Sequence, residues 1–145
     1  MALPSVTSKI ESAFASLLGS VSLGSGVTMY EGDDFREQIW PCVVCNATHG
    51  PEMPILSGNY MVRVDISIRS TADQKTTEDP SAVQDLIVSN VLELLKWDNL
   101  GAQLNARGVT GIFVYDPVID RGLTSQPIGD GFSDTISLDC LCMAI

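Results

Sequence analysis

The sequence predicts a single α+β domain over residues 1–145, a mainly antiparallel sheet of four to five strands with two helices on one face. Three observations carry this. Tyr60, Val62, Val64, Ile66 and Ile68 alternate strictly with Met61, Arg63, Asp65, Ser67 and Arg69, giving one dry face and one wet face. Two segments, around Ile10–Leu18 and Val83–Leu95, repeat apolar residues at helical spacing. Two such helices cover one face of a sheet and leave the other open.

Taken in order, the first helix holds Ile10, Phe14, Leu17 and Leu18 on one stripe, beside Val6 and Ala13. Ser8 with Glu11 has the form of a capping box, and Ser5 after Pro4 is an earlier alternative start. Gly19 suits a left-handed stop, and Gly19 to Gly26 reads as a flexible connection. Val27 to Tyr30 reads as a short strand ending in the turn Glu31-Gly32-Asp33-Asp34. A second strand is expected over Trp40 to Ala47, starting at or edged by Pro41, which has no N–H for a ladder. His49 to Gly58 reads as a proline loop, and Asn59 to Ser70 as the clearest strand. Thr71 to Asp79 is polar. Asp79 and Pro80 then open the second helix, whose stripe is Val83, Leu86, Ile87, Val91, Leu94 and Leu95. The helix fades over Lys96 to Asn99. A strand at Val109 to Asp116, a loop from Pro117 to Phe132 and a last strand, Ser133 to Ala144, complete the chain. A parallel pairing next to the second helix fits the pattern as well.

Composition excludes several functions. A chain of 145 residues buries roughly 68–70% of its unfolded surface, so no metal or disulfide is needed to hold it. Eighteen acidic residues against eight basic ones give a net charge of −10, and the basic residues never adjoin. A phosphate-gripping groove needs clustered Lys and Arg, so nucleic-acid binding is not expected. No stretch approaches the roughly 18 apolar residues of a membrane helix, and Met1 to Leu18 lacks the pattern of a secretory signal. The chain therefore reads as soluble, with reduced thiols at Cys42, Cys45, Cys140 and Cys142.

No chemistry assembles from the residue types. His49, the lone histidine, sits among Gly and Pro, and no Gly-x-Ser-x-Gly elbow occurs. A catalytic base needs a positioned partner, so no catalytic residue is expected. Cys42-Val-Val-Cys45, His49 and Cys140-Leu-Cys142 could be drawn as zinc ligands. Residues three apart on a strand point to opposite faces, however, so the cysteines read as small core residues. The acidic turns lack the calcium-loop spacing, and no phosphate or dinucleotide loop is present. Neither metal nor cofactor is expected.

Surface features are what remain. The loop from Pro117 to Phe132 carries Val118, Ile119, Arg121, Leu123, Ile128 and Phe132, and the proline loop carries Met53, Ile55 and Leu56. Apolar loops of that length act as binding surfaces. Leu141 and Met143 lie on the outer face of the last strand. Met53, Ile55, Leu56, Ile119, Arg121, Leu123, Ile128 and Phe132 are thus candidate contacts with partners, and Arg63, Asp65 and Arg69 are candidate charge pairs that set register.

The order of these elements resembles the tail terminator (tail completion, minor tail protein U-like) family of long-tailed bacteriophages. The matching features are the helix before Val27-Thr28-Met29-Tyr30, the apolar Pro41-Cys42-Val43-Val44, the alternating Tyr60 to Ser70, the Asp79-Pro80 helix ending in Leu94-Leu95, and the pair Val109–Asp116 with Ser133–Ala144. The resemblance spans nearly the whole chain as an order of elements with few fixed residues. It implies a structural virion protein and no enzyme. Such a subunit joins copies of itself in a ring, usually hexameric, that caps the head-proximal end of the tail tube and meets the neck or head-completion protein. DNA passes only through the lumen, and assembly takes place in the host cytoplasm. The other readings are another head-to-tail joining subunit, a small-ligand-binding regulatory domain, and an enzyme.

Overall fold

The computed structural model describes residues 3–20, 27–31, 41–52, 59–71, 80–96, 100–106, 112–114, 119–128 and 131–144. The elements run α1 (Leu3–Gly19), β1 (Thr28–Glu31), β2 (Cys42–Glu52), β3 (Asn59–Thr71), α2 (Pro80–Leu95), α3 (Leu100–Asn105), β4 (Ile112–Val114), β5 (Ile119–Ile128) and β6 (Gly131–Ala144). The strands form one sheet in the order β1-β2-β3-β6-β4, with β5 also pairing β6. Among the described residues only β1 and β2 run parallel; the other pairings are antiparallel. The α+β class with a mainly antiparallel sheet is therefore what the chain adopts. The parallel pair lies at the β1 edge rather than beside α2, because β3 and β4, the strands before and after α2 in the chain, are separated by β6, which is antiparallel to both.

The core lies between the helices and one sheet face. Ile10, Ala13, Phe14, Leu17 and Leu18 of α1 pack on Val43, Cys45, Ala47, Val62, Val64, Ile66 and Ile68. From β6, Ile136, Leu138, Cys140 and Cys142 join the same cluster. The alternation read in β3 is realised: Val62, Val64, Ile66 and Ile68 are fully buried while Arg63 is exposed. Two side chains close strand edges that would otherwise be open to pairing. The Glu11 carboxylate accepts the Ala47 N–H at 2.8 Å, where β2 runs beyond the end of β1. The Asn105 amide donates to the Val114 carbonyl at 3.0 Å and accepts its N–H at 2.9 Å, mimicking a neighbouring strand for β4.

Several expected boundaries move. Helix α1 starts at Leu3, so neither Ser8 nor Ser5 caps it. Ser20 closes its end by donating its amide and hydroxyl to the Leu17 carbonyl, at 3.3 and 2.6 Å, and Gly19 has no left-handed φ. Strand β2 continues through His49 to Glu52, with a register shift between those two residues, so His49 stands in a strand opposite Val62. The segment expected to fade after Lys96 re-forms as α3, which buries Leu100, Gly101 and Leu104. The region read as a loop from Pro117 to Phe132 is largely β5 and the start of β6. The Glu31-Gly32-Asp33-Asp34 turn beyond Glu31, the polar run after Thr71 with Asp79, and Met53, Ile55 and Leu56 lie outside the described residues.

The α2 stripe is turned from the expected one. Gln84, Ile87, Val88, Val91 and Leu94 are buried, and Leu86 is 54% exposed. The expectation that Leu86 packs on the sheet is thus corrected: it stands about 100° around the helix from Ile87, off the buried line. Leu86→Ala should change stability by less than about 0.5 kcal/mol, and Ile87→Ala should cost about 2–5 kcal/mol. Chemical denaturation of the two variants checks the rotation; equal losses would contradict it.

Candidate functional site

The sheet face away from the helices is a grid of mostly polar cross-strand neighbours, with Val44 and Cys42, both buried, at one corner. Each row is set by the register of β2, β3 and β6: Thr48, Arg63 and Asp139; Asn46, Asp65 and Ser137; Val44, Ser67 and Thr135; Cys42, Arg69 and Ser133. Arg63 Nε meets Asp139 Oδ1 at 3.3 Å, and the Arg63 side chain is 51% exposed while that of Asp139 is only 6% exposed. The Ser137 hydroxyl donates to Asp65 at 2.6 Å, and Ser67 and Thr135 share a hydrogen bond of 3.3 Å. Asp65 and Arg69 are half-buried. With its Arg63 end open to water the pair adds little net stability, so the grid specifies register more than it stabilises. At one end of this face the rows turn apolar. Met61 pairs with Leu141, and Phe113, 42% exposed, pairs with Met143.

The hairpin of β5 and β6 presents the other candidates. Its register places Ile119 opposite Asp139, Leu123 opposite Ile136, Pro127 opposite Phe132, and Ile128 opposite Gly131. Between Asp120 and Gly122 the register shifts at Arg121. The extra residue shifts the phase of β5, and Leu123 then shares the side of its partner Ile136. That side is the helix side, since Ile136 is core. The helix layer does not reach it: Leu123 is 49% exposed and Phe132 is half-buried. Proline at position 127 suits a strand at the sheet margin.

The candidate residues therefore do not form one site. Arg63, Asp65 and Arg69 share the helix-free face, whereas Leu123 and Phe132 lie on the helix side of the overhanging hairpin. Ile119 and Ile128 are placed by register opposite Asp139 and Gly131, and Arg121 falls at the register shift.

A cluster that residue patterns missed lies beneath the hairpin. Gln84, 2% exposed on α2, donates through Nε2 to the Ile68 carbonyl at 2.8 Å and to Asp134 Oδ2 at 2.9 Å. Its Oε1 accepts the Ser70 hydroxyl at 2.7 Å, so both donors and the acceptor of the amide are used. The other Asp134 oxygen accepts the Ser125 hydroxyl of β5. The available signal was Gln84 at helical spacing ahead of Ile87, Val88 and Val91.

The thiols are placed for packing. Cys45, Cys140 and Cys142 belong to the core cluster, and Cys42 falls on the opposite face with Ser67 and Arg69. Burial pushes the Cys142 thiol from 9.0 up to about 11. Burial, then the nearby Cys142 and Asp139 charges, pushes Cys140 up further. Both favour the neutral thiol when folded. Their contribution to stability is complete below the unfolded value of 9.0 and, for Cys142, is lost as pH rises through about 11. At pH 8 a thiol-reactive dye should label Cys140 and Cys142 at least roughly a hundredfold more slowly than free cysteine, since the thiolate is the nucleophile. Labelling at the free rate would contradict this burial.

Among the described residues, no three His, Cys, Asp or Glu side chains converge as metal ligands. No helix among them is long and apolar enough to cross a membrane. The sequence matches no protein-family model and none of the curated proteins compared with it.

Proposed function

We propose that this chain is a ring-forming tail terminator subunit of a long-tailed bacteriophage. Copies join in a ring, hexameric as the resemblance implies, that caps the head-proximal end of the tail tube and meets the neck protein. The subunit is structural and performs no catalysis; it works at the tail–neck junction of the virion after assembly in the host cytoplasm.

The observation that carries this reading is the overhang of β5 beyond the helix layer, which leaves Leu123 49% exposed on an otherwise core-facing side. An apolar side chain held out on a paired strand is fixed in position yet still in water. A head-to-tail contact repeats that burial at every interface of a ring. Each Leu buried this way yields up to about 2 kcal/mol before ordering costs. The net charge of −10 agrees with a lumen through which DNA passes without being held.

Leu123→Ser removes the apolar contact at an exposed position, so the fold should hold within about 0.5 kcal/mol. Co-sedimentation with tail tubes should then require at least roughly tenfold more protein than wild type. Folded Leu123→Ser protein that co-sediments as wild type does would remove the hairpin from the interface.

A further inference from the structure

The polar cluster beneath the hairpin supports an inference that does not depend on the ring. We propose that Asp134 latches the distal half of β5 to the body of the fold, with Gly122 as the pivot. Leu123–Ile128 can then open as a unit while β3, β6 and α2 stay packed.

Asp134 sits in β6 where three strands meet, directly opposite Ile68 of β3 and Ser125 of β5. Its two oxygens serve different partners. The inner arm runs to Gln84 and on to Ser70 and the Ile68 carbonyl, and Gln84 and Ser70 are 2% and 0% exposed. The outer arm accepts the hydroxyl of Ser125, an exposed residue. One carboxylate thus joins a buried, fixed group to a surface strand. Hydrogen bonds to a charged acceptor are about twice as strong as neutral ones, so this bond weighs heavily on a strand with little packing. Gly122, Leu123, Thr124 and Ser125 are all exposed.

The pivot is set by the backbone. Gly122 has φ of 109°, a conformation that residues with a side chain rarely adopt. A Cβ added there would meet nothing within 4 Å, so conformation rather than space accounts for glycine. It stands at the register shift, where the regular ladder between β5 and β6 is already interrupted. On its other edge β6 is held by β3 from Gly131 to Met143, so it stays in place when β5 lifts. An open β5 bares the β6 edge from Gly131 to Ile136, a template for an incoming strand.

Amide hydrogen exchange on the full chain tests the latch with Ser125→Ala and Ser125→Thr. Ser125→Ala should speed exchange over residues 123–128 by roughly tenfold or more, with β3 and α2 within about twofold of wild type. Ser125→Thr keeps the hydroxyl and should restore the wild-type pattern. Three results would overturn the latch: unchanged exchange over 123–128 in Ser125→Ala, equal acceleration of β3 and α2, or no rescue by threonine.

Discussion

Phe14→Ala is expected to cost about 3–5 kcal/mol, the largest loss from any single core truncation in α1. Phe14 is fully buried at the centre of the helix–sheet contact, with Ile10 and Leu17 before and after it on the same stripe. Its removal leaves a cavity that the flanking strand residues cannot fill, because β2 and β3 are fixed by their ladder. For a domain of this size each kcal/mol lowers the melting temperature by roughly 2–4 °C, so a fall near 10 °C should be seen by calorimetry. A shift of only a degree or two would mean that α1 packs elsewhere.

Gln84→Ala should be nearly as damaging, although Gln is not a hydrophobic residue. Its loss strands the Ser70 hydroxyl and removes donors from the Ile68 carbonyl and Asp134. A buried polar group left without its partner costs about 1–3 kcal/mol, and more where a charge is involved. Gln84→Met preserves volume without the amide, and it should recover little of the loss if hydrogen bonding dominates. Urea denaturation of the two variants separates the terms. Full recovery by Met would show that Gln84 acts by filling space.

The contrast between these two residues shows what could be read from sequence. Phe14 was legible because apolar periodicity reports burial directly, and so was β3, whose period of two is unbroken from Tyr60 to Arg69. Gln84 was not legible, because a buried amide is stable only when Ser70, Ile68 and Asp134 satisfy it, and those partners are distant in sequence. Leu86 misled for the converse reason: an apolar residue tolerates water, so its type alone does not place it. From sequence β5 reads as loop, because Gly122 and Pro127 interrupt its pattern. In the fold the glycine sits at the register shift and the proline in the sheet-margin strand, both compatible with pairing to β6. Helix α3 is only six residues long, too short for periodicity to declare.

The candidate surface was legible in part. Arg63, Asp65 and Arg69 were correctly grouped, because alternate residues of one strand share a face. Leu123 and Phe132, named together as apolar residues of one loop, lie in different strands, opposite Ile136 and Pro127. The side taken by Leu123 depends on the extra residue at Arg121, which shifts the phase of β5 and leaves no signature in composition, whereas Phe132 follows the alternation of β6.

The ring proposal is tested most directly by electron microscopy of tail tubes polymerised with and without the purified protein. The account predicts that the protein stops elongation and appears as one ring at one end of each tube, hexameric in projection. Tubes that grow to the same lengths in its presence, with bare ends and the protein left in solution, would contradict it.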